Sequence, residues 1–322
     1  MKRFLSLLLA VICLWPLAPA RAQGQWMDVI PTPAGGEREL SLAEMQALLA
    51  ATPTPAPTHQ GPQSFTLLLI GTDSYKPEKR GRSDTMVLVR LDAARQRVQM
   101  VSFMRDLYVK IPGHGATRLN AAYAYGGAEL LKETLYNNFG VTCDAYVAVN
   151  FSRMAELIDQ LGGVTVEVSK AEMRQVNSIL KYYNRQMGVS ASDGLLQAYG
   201  TVALTGKQAM CFSRIRKIDS DFQRTARQRQ VLQAIFEKLC TLDLLSLTRL
   251  ALENLGRVTT DVTAEQAAQL VPLALSARGA RFETLRIPAD NAYASQTIRG
   301  MAVLVPNLKK SAALLADFFE GE

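Results

Sequence analysis

Three apolar runs crowd into one short stretch of the chain: FTLLLI at 65–70, MVLVRL at 86–91 and VQMVSF at 98–103. Each is apolar on consecutive residues, and each is too short for an ordinary helix. A strand with one wet face alternates apolar and polar side chains, whereas a strand covered on both faces does not. The three runs therefore predict buried strands of one central sheet. Gly71 closes the first, and LDAARQR joins the second to the third through a tight connection.

The remaining segments supply layers for that sheet. Helices are predicted at Ala128–Phe139, ending on Gly140, and at Phe151–Leu161, closed by Gly162-Gly163. Others are predicted at Ala171–Tyr183, Thr205–Met210, Asp221–Leu239 and Asn307–Phe319, with two or three more across 241–278. Further strands are predicted at Ala145–Val149, Val164–Val168, Cys211–Ile215 and Ala280–Ile287. Helix and strand alternate without an internal repeat. The expected fold class is α/β: a single domain over residues 64–320, with helices on both faces of a central sheet.

Two different segments precede that domain. Lys2 and Arg3 open the chain, an apolar stretch follows to about Leu17, and Ala20-Arg21-Ala22 gives a small-residue cleavage pattern. This is the layout of a secretory signal over residues 1–22, read as a cleaved signal peptide or a retained signal anchor. The apolar stretch is shorter than the ~20 residues that span a bilayer comfortably, which favours cleavage. Residues 23–63 read as a Pro/Thr-rich linker. TPTPAP at 52–57 is expected to be extended, and Ser41–Ala50 to be a short helix with Ser41 as its cap. The folded part is accordingly expected to be extracytoplasmic, secreted or anchored at the outer face of the cytoplasmic membrane.

Composition excludes several kinds of chemistry. The chain has 36 basic and 29 acidic residues; without the leader's Lys2, Arg3 and Arg21, 33 remain against 29, a net of +4. That is too mild for a bulk nucleic-acid binder, and no nucleic-acid partner is expected. The two histidines lie at His59, in the linker, and His114, between two glycines. Imidazole-based triads and metal sites are therefore poorly supplied. Cys143, Cys211 and Cys240 follow the leader, without the C-x-x-C spacing of a zinc site. A Cys143–Cys211 disulfide is open to an exported chain, and buried thiols are the alternative.

Aspartate and arginine remain. Asp73 follows the first strand in GTDS, and Asp84 precedes the second in GRSDT. Both fall at strand ends, where α/β sheets place their ligands. Neighbouring carboxylates repel unless a cation lies between them, and oxygen ligation of that kind suits Mg²⁺ or Mn²⁺. Each aspartate taken alone is equally well a turn or cap residue. Arg82 lies two residues before Asp84, Arg105 follows the third strand in SFMRD, and Arg118 occurs in TRLNA.

The densest signal is CFSRIRKIDSDFQRTARQRQ at 211–230. Arg214 and Arg216 are expected two apart on a strand, facing one way. Asp221 is expected to cap the next helix, with Asp219 as the other acid of the turn, and Arg224 and Gln228 to share a face of that helix. Helix N-termini favour anions, and guanidinium forks bind phosphate oxygens in pairs. The reading is a polyphosphate or pyrophosphate site.

Taken in order, LLLIGTD, RSDTM, SFMRD, RLNAAY, LIDQLGGVTVEV and SRIR followed by DFQRTARQ resemble the LytR-CpsA-Psr family of cell-wall ligases, from about Phe65 to Phe319. The resemblance implies an α/β/α sandwich with a central mixed sheet and a hydrophobic pocket for a prenyl chain. It implies an enzyme, a Mg²⁺-dependent phosphotransferase. That enzyme moves a glycopolymer such as wall teichoic acid or capsular polysaccharide from an undecaprenyl-pyrophosphate carrier to peptidoglycan at the membrane surface. Asp73 and Asp84 would match the metal-binding aspartates. Arg82 and Arg105 would match the arginines at the pyrophosphate, alongside Arg118. Arg214, Arg216, Asp221, Arg224 and Gln228 would match the second half of that site. An exported phosphatase or pyrophosphatase on lipid-linked glycans, or a non-catalytic module that binds them, are the alternatives for the same residues.

Overall fold

The computed structural model describes residues 64–72, 81–242, 246, 250, 253–254, 258–263, 266 and 280–321. The leader, the linker with its helix at Ser41–Ala50, Asp73 and most of 241–278 lie outside them, as does the Cys240 side chain. The described residues fall into two compact units. One, the sheet unit, takes residues 64–148 and 280–321; the other, the helical unit, takes residues 149–266.

The predicted buried strands open the sheet unit as β1 (Ser64–Thr72), β2 (Ser83–Asp92) and β3 (Arg97–Phe103). They pair antiparallel, with Leu68 opposite Leu88 and Leu88 opposite Val101. All seven residues of β3 are buried, which is why its sequence does not alternate. A hairpin of β4 (Tyr108–Ile111) and β5 (Gly115–Arg118) follows, one the sequence reading did not contain. Helix α1 (Asn120–Phe139) bends at Gly127 and ends at Gly140, whose φ of 71° suits a left-handed cap. The predicted helix starting at Ala128 is the part beyond the bend. Strand β6 (Ala145–Asn150) then carries the chain into the helical unit.

There, α2 (Phe151–Gln160), β7 (Val164–Val168), α3 (Lys170–Gln186), β8 (Gly200–Leu204), α4 (Gly206–Phe212), α5 (Asp221–Cys240) and a two-residue β9 (Thr259–Thr260) follow in order. Strands β7 and β8 pair antiparallel, Val164 opposite Leu204. Capping boxes set the starts of α3, through Ser169 and Glu172, and of α4, through Thr205 and Gln208. Ile158, Val166, Leu180, Phe212 and Ile235 are among the side chains that form the core. Helices α2 and α4 meet so closely that a Cβ on Gly206 would lie 2.0 Å from the Ala155 carbonyl oxygen.

Two local expectations are corrected here. The segment Cys211–Ile215 is not a strand: α4 runs to Phe212, and a turn with irregular backbone follows. Ala209 to Phe212 are all buried, and a helix end buried on every side reads like a buried strand. Arg214 and Arg216 are therefore not neighbours on one strand face. The cap of α5 is Ser220, whose hydroxyl accepts from the Gln223 N–H at 3.4 Å; Asp221 is the first helical residue. Cys143 and Cys211 are not joined in a disulfide, and both are thiols. Burial pushes the Cys211 thiol up to about 12, so it is inert.

The chain returns to the sheet unit with β10 (Arg281–Ile287), the hairpin β11 (Tyr293–Ile298) and β12 (Met301–Pro306), and α6 (Leu308–Glu320). Within this unit the strand order is β10-β3-β2-β1-β6. The β3–β10 pair is parallel beside antiparallel neighbours, so the sheet is mixed. The last turn of α6 is clasped from the sheet: Gln99 donates to the Phe318 carbonyl and Arg97 to the Gly321 carbonyl. The expected class is borne out as a mixed α/β fold with a central mixed sheet. No helix among the described residues is long and apolar enough to cross a membrane.

Candidate functional site

Asp84 is the second residue of β2, and Arg105 lies two residues beyond β3. Because the strands are antiparallel, both reach the same end of the sheet. The backbone around Arg105 is pinned on several sides. The Met104 N–H donates to the Ile287 carbonyl at 2.8 Å, and the Arg105 carbonyl accepts from the Asn120 N–H at 3.2 Å. The Asp106 carbonyl accepts from the Leu304 N–H at 2.9 Å, and the Leu107 carbonyl from the Leu119 N–H at 2.7 Å. Side chains on such a segment are held by the scaffold rather than by a mobile loop.

They form an alternating chain of charge. Arg105 donates from Nη1 to Asp84 Oδ1 at 2.8 Å, and its Nε lies 3.5 Å from Asp106 Oδ2. Asp106 Oδ1 is in turn 3.3 Å from Arg118 Nε. Arg118, at the end of β5, also donates Nε and Nη2 to the Ala302 carbonyl at 3.1 and 2.6 Å. All four side chains are largely but not wholly buried. Arg82 is exposed, two residues before Asp84. The structure thus brings together Asp84, Arg105 and Arg118, and adds Asp106, to which the sequence reading gave no role. Asp73 lies outside the described residues.

The donor set bears on the expected metal. Among the described residues no three His, Cys, Asp or Glu side chains cluster as a metal cage. Mg²⁺ does not require one: it is commonly held by one or two carboxylates and the phosphates of its substrate. Asp84, with a carboxylate at the sheet end, fits as one such ligand.

The helical unit holds the other predicted residues. Arg224, on α5, is 2% exposed and pairs with Asp221 at 2.9 Å, and Gln228 is buried one turn further along. The guanidinium of Arg214 stacks over Phe151, 4.6 Å from its centroid, and lies 5.6 Å from that of Tyr183. Arg216 is exposed. The best-satisfied guanidinium belongs to a residue the sequence reading left outside the site. Arg227 Nε donates to Glu172 at 2.7 Å, Nη1 to the Ile215 carbonyl at 3.3 Å, and Nη2 to Asp219. Burial acts to raise the Glu172 carboxyl, but hydrogen bonds from Arg227 and Ser169 outweigh it and hold that carboxyl below its ordinary value. The S-x-x-E spacing at 169–172 was the legible signal for Glu172; nothing local linked it to Arg227, 55 residues away.

A profile of the LytR_cpsA_psr family matches residues 39–316. The polyisoprenyl-teichoic acid–peptidoglycan teichoic acid transferase TagU of Enterococcus faecalis is 33% identical over 189 residues, covering 57% of this chain and 56% of that protein. The chain spans little more than half the length of the first such relatives it matches. The solved structure described as TagT bound to LIIa-WTA superposes with a TM-score of 0.65 at 26% identity, over 84% of this chain and 96% of that one. A second TagT structure, described as having a bound octaprenyl pyrophosphate lipid, gives 0.60 at 25% identity over 83% and 95%. With the family profile matched over most of its length, the chain belongs to the LytR_cpsA_psr family.

Proposed function

We propose that this protein is an extracytoplasmic phosphotransferase that moves a glycopolymer, of teichoic acid or capsular polysaccharide type, from a polyprenyl-pyrophosphate carrier onto peptidoglycan. The observation that carries this reading is the Asp84–Arg105–Asp106–Arg118 chain, held on pinned backbone at the sheet end. The names of the TagU and TagT relatives support the same donor and acceptor classes.

In the reaction a peptidoglycan sugar hydroxyl attacks the phosphorus that bears the glycan. A new P–O bond forms, the bond from that phosphorus to the bridging oxygen breaks, and polyprenyl phosphate leaves. The hydroxyl proton passes to the carboxylate of Asp73 or Asp84. Charge grows on the pyrophosphate oxygens, so the work of the site is positioning and neutralisation rather than supplying a nucleophile. Arg82, Arg105 and Arg118 serve the pyrophosphate. Asp221 orients Arg224, and Gln228 lies on the same face of α5. Mg²⁺, or Mn²⁺, held by Asp73 and Asp84 would add positive charge against the same oxygens.

The test is a transfer assay with a polyprenyl-pyrophosphate glycan and peptidoglycan oligomers, with and without EDTA. Metal-dependent linkage, lost in Asp73→Asn and Asp84→Asn, is expected. Glycan phosphate released to water without linkage would replace the reading with a hydrolase. Tight binding without turnover would replace it with a binding module.

A further inference from the structure

On one side of helix α3, Val176, Leu180 and Asn184 pack inward. Its outer side is as ordered in sequence. Lys170, Arg174, Lys181 and Arg185 are all exposed, and at 3.6 residues per turn they fall within about 60° of the helix circumference. None of the four makes an ion pair with a carboxylate among the described residues. The helix's own acid, Glu172, is turned to Arg227 and Ser169 instead.

Exposed apolar side chains flank this cationic stripe. Tyr182 is 61% exposed on the helix itself, and Met187 is 76% exposed just past its end. The segment after α3 folds back along it: the Asn177 side chain bonds the Leu196 backbone in both directions, and Asn184 donates to the Asp193 carbonyl. That return places Tyr199, 58% exposed, with its ring centroid 6.0 Å from the Lys170 ammonium. Cations in a row between tyrosines and a methionine have the chemistry of an interfacial helix: lysine and arginine for lipid phosphates, amphipathic rings and thioether for the headgroup boundary.

We propose that the outer face of α3 docks on an anionic lipid bilayer. An anionic polymer would meet the same charges, but Met187 offers nothing to a hydrated glycan and much to an acyl boundary. This goes beyond the transferase reading and rests on it only in that a polyprenyl-linked donor resides in a bilayer. Binding to glycan-free vesicles is read without turnover, so the two readings fail separately.

The experiment is sedimentation of the full chain with vesicles of phosphatidylcholine alone or with one third phosphatidylglycerol. Any contribution of the apolar leader is common to every variant. Each cation near an anionic surface contributes about a fivefold change in partition. The Lys181→Gln/Arg185→Gln pair should therefore lower partition into the anionic vesicles about 25-fold, with unchanged circular dichroism, and leave phosphatidylcholine binding as it was. Met187→Ser/Tyr199→Ser should lower the fraction that survives high salt. Equal partition of wild type into both vesicle types overturns the proposal, and so does wild-type behaviour of the double glutamine variant. Selective loss of binding to soluble poly(glycerol phosphate), with vesicle binding intact, would assign the stripe to the polymer instead and also overturn it.

Discussion

In the sheet unit, Arg105 meets Asp84 at 2.8 Å and Asp106 at 3.5 Å, and its side chain stays 18% exposed. In the helical unit, Arg227 meets two carboxylates and a backbone carbonyl, and its side chain is 5% exposed. The residue types match, yet the surroundings differ. Arg227 spends Nε, Nη1 and Nη2 on its own unit, tying α3, α5 and the turn before α5 together. Arg105 sits in a string of alternating charges that also reaches Arg118 at a strand end. A guanidinium enclosed by its own fold stabilises that fold. A guanidinium at a sheet end, beside carboxylates, can exchange partners with an incoming phosphate. Under the proposed function, the contrast assigns Arg105 to the ligand and Arg227 to the fold.

The largest effect expected from that contrast is on turnover. Arg105→Ala should lower transfer by about 10²–10³-fold, the range for losing one preorganised donor to developing charge. Its thermal stability should fall less than that of an Arg227 variant, because the Arg105 side chain is 18% exposed and that of Arg227 5%. Steady-state transfer rates alongside calorimetric melting measure both. A variant that loses its fold along with its activity would erase the distinction from Arg227.

Arg227→Met comes next, and it should act on stability. Removing the cation strands Glu172 and Asp219 beside each other, and breaking a buried pair in that way costs about 3 kcal/mol. Chemical denaturation gives the number. A stable Arg227→Met protein that no longer transfers would move Arg227 into the binding site.

How far the sequence carried this contrast depends on where the side chains pack. The strands β1 to β3 were legible because burial on both faces leaves an unbroken apolar run. The hairpin β4–β5 was not, since short, half-covered strands such as GATR leave no such run; in the second hairpin the polar YASQTI of β11 hides the pairing, and the apolar MAVLVP of β12 went unread. The same rule misled at 211–215, where a fully buried helix end imitates a strand. It took with it the expectation that Arg214 and Arg216 share a strand face. Asp84 and Arg105 were legible as candidates, since a charged residue just outside an apolar run must sit at a sheet end; Arg118 was picked out only within TRLNA. Their connection through Asp106 was not, because it depends on the 104–107 backbone being fixed from three other segments.

A smaller test probes the scaffold beneath the Arg227 cluster. Gly206→Ala would push a methyl group to within 2.0 Å of the Ala155 carbonyl oxygen, so α2 and α4 must separate. Overpacking of this kind costs about 1–3 kcal/mol. A melting curve indistinguishable from wild type would show that the two helices part freely, and the enclosure of Arg227 would then owe less to the core than to its ion pairs.

The smallest effect, and the sharpest for the comparison, is in pH. The Glu172 carboxyl lies below its ordinary value of 4.5 in the folded protein, where hydrogen bonds from Arg227 and Ser169 overcome burial. A carboxyl depressed by folding contributes stability that is fully present above its unfolded value and is lost as pH falls through its folded one. Glu172→Gln should therefore be less stable than wild type at pH 7, and the gap should close progressively as pH drops below about 4.5. Denaturation midpoints of both proteins between pH 7 and pH 3 give the gap directly. A gap that stays constant with pH would mean that the Glu172–Arg227 contact works through shape rather than charge. In that case the helical-unit arginine would differ from Arg105 in packing alone.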